Sequence, residues 1–229
     1  EIRGMYITGA GGLGVEIGES TFVKLQQAGF KTSVIKSLSP SFNGLNFERG
    51  RKAFMNSLAK SLTLPQLDKN LKRVTFVNGL SGVGKTALTA KMSAREQETD
   101  VKITLAKLQY KTDSSDETLR SHGRLLNKPV LKLTPENLIE IICTSKGNIL
   151  IDVSLKPHHA VASILSVVEL LSSKEVHSIL AIPAGSSDTF IRGQAALFKD
   201  ITPALALTKL DECDVTSNEM SEFFMNSMK

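Results

Sequence analysis

Apolar residues follow two successive patterns along the chain. Between residues 19 and 72 they recur at the three- and four-residue spacing of amphipathic helices, as in Phe54, Leu58 and Leu62. From residue 73 onward, short and nearly uninterrupted aliphatic runs alternate with helix-forming segments, which is typical of crossover units on a parallel sheet. The sequence therefore predicts a small helical N-terminal domain over residues 19–72 and an α/β domain over residues 73–229.

The α/β segment predicts six strands and six helices. The strands are expected at residues 74–78, 101–106, 130–133, 148–153, 178–182 and 204–208. The helices are expected at residues 85–95, 116–126, 135–145, 159–172, 189–198 and 216–228. Most of the strands are almost continuously aliphatic, as is usual when both faces of a strand are buried. We therefore predict a parallel sheet with helices on both faces.

Residues 1–18 fit neither pattern. They contain the glycine-rich stretch Thr8–Gly14, which is similar to a dinucleotide-binding fingerprint. The apolar run before it is only three residues long, and no acidic residue follows at the ribose-binding distance of about twenty residues. We therefore interpret residues 1–18 as a flexible lead-in.

Composition narrows the classes of protein and partner. Of the 229 residues, 41% are hydrophobic and 5% aromatic, which favours an aliphatic core. The net charge of +5 favours an anionic partner, but the basic residues are scattered, so nucleic acid is possible and not favoured. No apolar run is long enough to cross a bilayer. The two cysteines are typical of a reducing cytosol, and Cys143 ends an apolar run that predicts a buried thiol.

A complete phosphate-binding loop stands between the first predicted strand and the helix after it. Its G-x-x-x-x-G-K-[ST] pattern is Gly79, Leu80, Ser81, Gly82, Val83, Gly84, Lys85 and Thr86, followed by Ala87. Glycines let backbone N–H groups surround phosphates, and the helix N-terminus adds its positive dipole end. Lys85 is expected to reach the β and γ phosphates, and the Thr86 hydroxyl to bind Mg²⁺. The pattern predicts a P-loop nucleotide-binding protein.

Two further strand ends predict the rest of the site. The sixth strand ends in Thr208, Lys209, Leu210 and Asp211, a T-K-x-D segment about 120 residues after the loop. A carboxylate there accepts hydrogen bonds from N1 and the exocyclic amine of guanine, while the lysine stem packs over the base. The pair therefore selects GTP over ATP. The fourth strand ends in Asp152, which we expect on the Mg²⁺ side of the site, with a helix-capping role as the alternative.

Taken together, these residues resemble the GTPases of the signal-recognition-particle (SRP) family, most closely the flagellar-placement branch, FlhF. Lys24–Phe30 resembles the N domain of that branch, and Thr208–Glu212 matches the T-K-L-D-E of the family. The resemblance spans nearly the whole chain. It implies GTP or GDP with Mg²⁺, and a homodimer or a pair with a related SRP-type GTPase across the nucleotide face. It also implies a cytoplasmic protein that associates peripherally with the inner face of the bacterial membrane or with a cell pole.

The chain departs from the family where hydrolysis takes place. The D-T-x-R segment of the family corresponds to Leu108–Thr112, and its D-T-A-G-R corresponds to Asp152–Lys156, with Leu155 in place of glycine. Ala87 replaces the second of two threonines, and the chain ends at Lys229, before the expected last strand and the loop that closes over the base. A shifted alignment would instead supply Asp113 or Asp116. The resemblance therefore implies GTP binding with slow or absent hydrolysis.

Three functions follow from this pattern of kept and lost motifs. The first is an FlhF-like regulatory protein for flagellar placement or membrane targeting, which binds GTP, dimerises and hydrolyses GTP weakly. The second is a working GTPase that an activator or other partner completes. The third is a pseudo-GTPase scaffold that binds no nucleotide and keeps only its protein interface.

Overall fold

A computed structural model of the chain describes residues 20–63, 71–95, 102–112, 117–172, 174–201 and 203–228. The lead-in predicted at residues 1–18 lies outside these ranges. The chain divides into two compact units between residues 57 and 58. The separate helical domain over residues 19–72 stays a prediction.

The first unit is helical. It contains α1 (Thr21–Gln27), α2 (Thr32–Leu38) and the start of α3 (Phe47–Leu62). Helix α1 begins at Ser20, whose hydroxyl accepts from the Val23 amide, and ends before Gly29, which has a φ of 93°. Three phenylalanines pack edge to face in its core, with the Phe54 ring 4.9 Å from that of Phe30 and 6.0 Å from that of Phe42.

The second unit is a six-stranded parallel sheet with the order β3-β2-β4-β1-β5-β6. Its strands are β1 (Val74–Asn78), β2 (Ile103–Leu108), β3 (Val130–Leu133), β4 (Asn148–Val153), β5 (Val176–Pro183) and β6 (Ala204–Thr208). Its helices, after the end of α3, are α4 (Lys85–Arg95), α5 (Glu117–Leu125), α6 (Leu138–Thr144), α7 (Pro157–Leu170), α8 (Asp188–Phe198) and α9 (Ser217–Met225). The predicted α/β fold is confirmed.

The two faces of the sheet bury different helices. On one face, Phe76 and its neighbours pack against apolar residues of α6, α7, α8 and α9. On the other face, Val77 and its neighbours pack against α4 and α5. Successive residues of β1 thus point to opposite layers, and all five are buried. The continuous aliphatic runs follow from this two-sided burial.

The prediction of a buried thiol at Cys143 is wrong. Helix α6 buries Leu138 and Ile142, which lie four residues apart on the face that packs against the sheet. Cys143 falls on the other side of the helix and is exposed. A residue in an apolar run is therefore not always buried, because only one face of a helix packs against the core.

The carboxyl ends of the parallel strands all lie at one edge of the sheet. The segments that follow β1, β2, β4 and β6 therefore all leave from this edge, although they are far apart in sequence. The predicted site residues lie on these segments, at the ends of β4 and β6, or on the first turn of α4. The fold thus places the candidate chemistry at one edge.

Candidate functional site

The loop after β1 has the backbone geometry of a phosphate-binding loop. Gly79, Gly82 and Gly84 have φ angles of 133°, 78° and 93°, which side chains disfavour. A Cβ atom on Gly79 would lie 2.8 Å from the carbonyl oxygen of Ala181 in β5, so the loop can pack against the sheet only with glycine there. A Cβ on Gly82 would meet nothing within 4 Å, so this part of the loop faces open space.

Lys85 begins α4 and folds back over the loop. Its Nζ donates to the carbonyl oxygen of Leu80 at 2.7 Å, and the residue is only 9% exposed. Burial lowers the pKa of Lys85 from its ordinary value, the nearby Asp152 carboxylate works against that shift, and Lys107 adds to it. The ammonium is thus held beside the open part of the loop with little water around it.

The two residues predicted on the metal side of the site lie in direct contact. The Thr86 hydroxyl donates to Oδ2 of Asp152 at 2.6 Å, and Asp152 is fully buried. Oδ1 of Asp152 has no hydrogen-bond partner among the residues that the structure describes. A hydroxyl and a carboxylate with a free oxygen are hard donors of the kind Mg²⁺ prefers. The residues present therefore fit Mg²⁺.

Sequence reasoning missed Lys107. Strand β2 was expected to end at residue 106 but continues to Leu108, and its register sets Lys107 directly beside Asp152 of β4. Nζ of Lys107 lies 3.7 Å from Oδ2 of Asp152, and the lysine side chain is 9% exposed. The available signal was a charged residue within an apolar run, which needs a buried partner of opposite charge.

The T-K-L-D segment is tied to the loop by a hydrogen bond. The Thr208 hydroxyl donates to the carbonyl oxygen of Val83 at 2.6 Å, across 125 residues of sequence. Beyond it the backbone turns sharply at Lys209, whose φ is 56°, and the Lys209 carbonyl accepts from the amides of Glu212 and Cys213. The Lys209 ammonium lies 3.7 Å from a carboxylate oxygen of Glu212, and Asp211 is exposed.

The two predicted motifs line one groove. One side is formed by Gly84, Ala87, Leu88 and Lys91, and the other by residues 207–212. The groove therefore runs from the end of the glycine loop to Lys209 and Asp211. The structure thus brings Gly84 and Ala87 of the predicted loop into one groove with the T-K-L-D segment.

The segments that replace the hydrolytic motifs also meet at this edge. Gln109 is buried at the end of β2, while the Tyr110 hydroxyl accepts from the Lys156 amide at 3.2 Å and forms a 2.6 Å hydrogen bond with Nδ1 of His159. Leu155 is 8% exposed and belongs to the apolar core. Residues 108–112, which correspond to the D-T-x-R of the family, contain no carboxylate and no arginine. Asp113 and Asp116 lie outside the described residues.

Comparisons with known proteins agree on the fold. No protein-family model matches the sequence, and no curated protein sequence matches it significantly. Among solved structures, the chain is similar to "FlhF complexed with GTP/Mg(2+)", with 19% identity, a TM-score of 0.68, and coverage of 92% of this chain and 88% of that one. Chloroplast FtsY from Physcomitrella patens has 19% identity, a TM-score of 0.65, and coverage of 89% and 76%.

A third similar structure is the signal recognition particle 54 kDa protein from Aeropyrum pernix K1 in complex with GDP. It has 14% identity, a TM-score of 0.58, and coverage of 91% of this chain and 55% of that chain. All three structures share the fold of SRP-type GTPases, and this chain has that fold. At these identities the likeness concerns the fold alone.

The buried ammonium of Lys85 predicts a specific pH dependence of stability without nucleotide. Its lowered pKa means that the charged form costs more in the folded chain than in the unfolded one. The parent should therefore gain stability relative to Lys85→Met as the pH rises from that lowered pKa towards the ordinary value of 10.5. Denaturant titrations across that range measure the difference in free energy of unfolding.

The matched control is Lys146→Met, which removes an exposed ammonium beyond the opposite end of β4. Its stability difference from the parent should stay constant over the same range. Parallel pH curves for the parent and Lys85→Met would contradict the burial argument.

Proposed function

We propose that the chain is a guanine-nucleotide-binding protein of the SRP type that hydrolyses GTP slowly. The observation that carries this proposal is the groove that joins the glycine loop to Lys209 and Asp211, with the loop held in place by the hydrogen bond from Thr208 to Val83. The sequence match and the shared groove are independent, since residues 120 positions apart need not meet. The fold shared with "FlhF complexed with GTP/Mg(2+)" supports the same proposal.

The phosphates bind along the glycine loop and the first turn of α4. Backbone N–H groups of residues 79–84 and the N-terminus of α4 stabilise the phosphate oxygens, and Lys85 adds a cation that already lies over the loop. Thr86 and Asp152 would hold Mg²⁺, which would supply positive charge to the phosphates. Binding of an anion also offsets the cost of burying the Lys85 ammonium.

The base binds at the other end of the groove. The Asp211 carboxylate accepts hydrogen bonds from N1 and the exocyclic amine of guanine, and the stem of Lys209 packs against the base plane. Adenine presents an acceptor at its N1 position, so it leaves the carboxylate without donors. The exposure of Asp211 leaves this carboxylate accessible to a base.

Slow hydrolysis is expected because Gln109 and Leu155 cannot supply the groups that the reaction requires at the γ-phosphate. Phosphoryl transfer requires a positioned water and fixed positive charge on the γ-phosphate. Gln109 carries no charge and is buried, and Leu155 extends into the core. A partner that supplied the missing groups would instead complete a working GTPase, and a chain without nucleotide affinity would be a scaffold.

The likeness to FlhF also suggests a cellular setting. We propose a regulator of flagellar placement or membrane targeting that is cytoplasmic and associates peripherally with the bacterial membrane or a cell pole. Two copies, or one copy and a related GTPase, would meet across their nucleotides. None of the described helices is long and apolar enough to cross a membrane. Sedimentation of the chain with GTP and with GDP tests the pairing of two copies, which a monomer under both conditions would contradict.

Guanine selectivity is tested by exchanging the base-reading carboxylate. We expect the parent to bind GTP more tightly than ATP in calorimetric titrations. Asp211→Asn should weaken the affinity for GTP by about 10- to 100-fold, because a hydrogen bond to a charged group contributes about 1.5–3 kcal/mol. The same change should strengthen the binding of xanthosine triphosphate, whose ring presents an acceptor at the position where guanine presents the exocyclic amine.

Two variants control this experiment. Asp214→Asn makes the same charge change at an exposed position of the same loop, and it should leave GTP affinity unchanged. Lys85→Ala should lose most binding of every nucleoside triphosphate, since it removes a charge-assisted contact to phosphate. Equal affinity of the parent for ATP and GTP would overturn the assignment of Asp211, and full GTP affinity of Lys85→Ala would favour the scaffold.

Hydrolysis is tested in single-turnover reactions with the purified chain. We expect a rate near the uncatalysed one, because loss of a single electrostatic contact commonly costs about 10²–10³ in rate. Leu155→Gly should recover little activity and should lower the free energy of unfolding by about 2–5 kcal/mol, since it empties a core position. Rapid multiple turnover that Lys85→Ala abolishes would show that other residues complete the site.

A further inference from the structure

We propose that Lys107 is a built-in cation of the phosphate site and that guanine nucleotides consequently bind to this chain with little dependence on Mg²⁺. The inference rests on the proposed nucleotide binding and adds to it a residue and a property of the site. It concerns binding and requires no hydrolysis.

The Lys107 ammonium is buried without being fully satisfied. Its side chain is 9% exposed, and its ammonium forms an ion pair with Asp152 at 3.7 Å, which is too long for a hydrogen bond. Within the part of the chain that the structure describes, no hydrogen bond is found for this ammonium, which carries three donors. Buried donors without acceptors are costly, so the arrangement favours an anionic ligand that supplies acceptors.

The ammonium occupies the neighbourhood where Mg²⁺ would bind. Asp152 receives both the Thr86 hydroxyl and the ion pair from Lys107 on the same oxygen, Oδ2. A fixed positive charge beside that carboxylate can perform part of the task of a divalent cation, which is to neutralise phosphate oxygens. The effect is strong because both partners are withdrawn from water.

The sum of the buried charges at the site supports a role for Lys107 in binding an anionic ligand. Lys85 alone would balance Asp152 and leave the buried site neutral, whereas Lys85 and Lys107 together leave it with a net charge of +1. Lys107 also lowers the pKa of Lys85, so in the absence of an anion the two lysines disfavour each other. A nucleotide phosphate relieves that repulsion, which a purely structural lysine would not require.

The test compares binding of GTP in excess EDTA and in millimolar Mg²⁺ by calorimetry. For the parent we expect the two dissociation constants to agree within about threefold, which is under 1 kcal/mol. Lys107→Met keeps much of the aliphatic stem and removes the charge. We expect it to lose about tenfold or more in GTP affinity in EDTA and to regain most of that affinity in Mg²⁺.

Lys146→Met is the matched control, with the same change of charge at a remote exposed position. It should keep the metal independence of the parent. A parent whose affinity falls tenfold or more in EDTA overturns the inference, even if Lys107→Met fails to fold. Lys107→Met with an unchanged response to Mg²⁺ also overturns it and assigns Lys107 to stability alone. Absence of GTP binding under both conditions instead refutes the proposed function itself.

Discussion

The arrangement of this site depends on one buried carboxylate, that of Asp152. A carboxylate withdrawn from water is tolerated only with partners, and its Oδ2 has the Thr86 hydroxyl at 2.6 Å and the Lys107 ammonium at 3.7 Å. These partners come from α4 and β2, so the start of the helix and the register of the strand are both fixed with respect to β4. The glycine loop lies between β1 and α4 and is positioned by the same contact.

The sequence allows most of the fold to be predicted, because burial on both faces leaves a direct trace in composition. Burial of all five residues of β1 and all six of β2 favours largely apolar runs, and such runs alternating with helices permit few topologies. The loop at Gly79–Thr86 is equally predictable, since its backbone angles and packing require glycine at defined places. The order of the strands then brings Asp152 at the end of β4 and Thr208 at the end of β6 to the same edge as this loop.

The parts that could not be predicted depend on partners distant in sequence. The end of β2 was placed too early because Lys107 interrupts the apolar pattern, and only Asp152 on the neighbouring strand explains a buried lysine there. Cys143 was misplaced because its environment depends on which stripe of α6 packs against the sheet. Both errors arise where local composition and tertiary contact disagree, and one of them lies within the site.

In the proposed site, binding and hydrolysis would be separable because they would depend on different elements. In the proposed site the loop, α4 and the end of β6 would hold a nucleotide, and the Thr208–Val83 hydrogen bond that ties them together does not involve the segments after β2 and β4. Those segments instead interact with each other, through Tyr110, Lys156 and His159, and anchor Leu155 in the core. At the position where the resemblance implies a flexible glycine, this chain has Leu155, which packs in the core. This position therefore has less conformational freedom to respond to a γ-phosphate. The glycine loop thus keeps the geometry that the proposed nucleotide binding requires, while the segments that the proposed hydrolysis would require are held by contacts of their own.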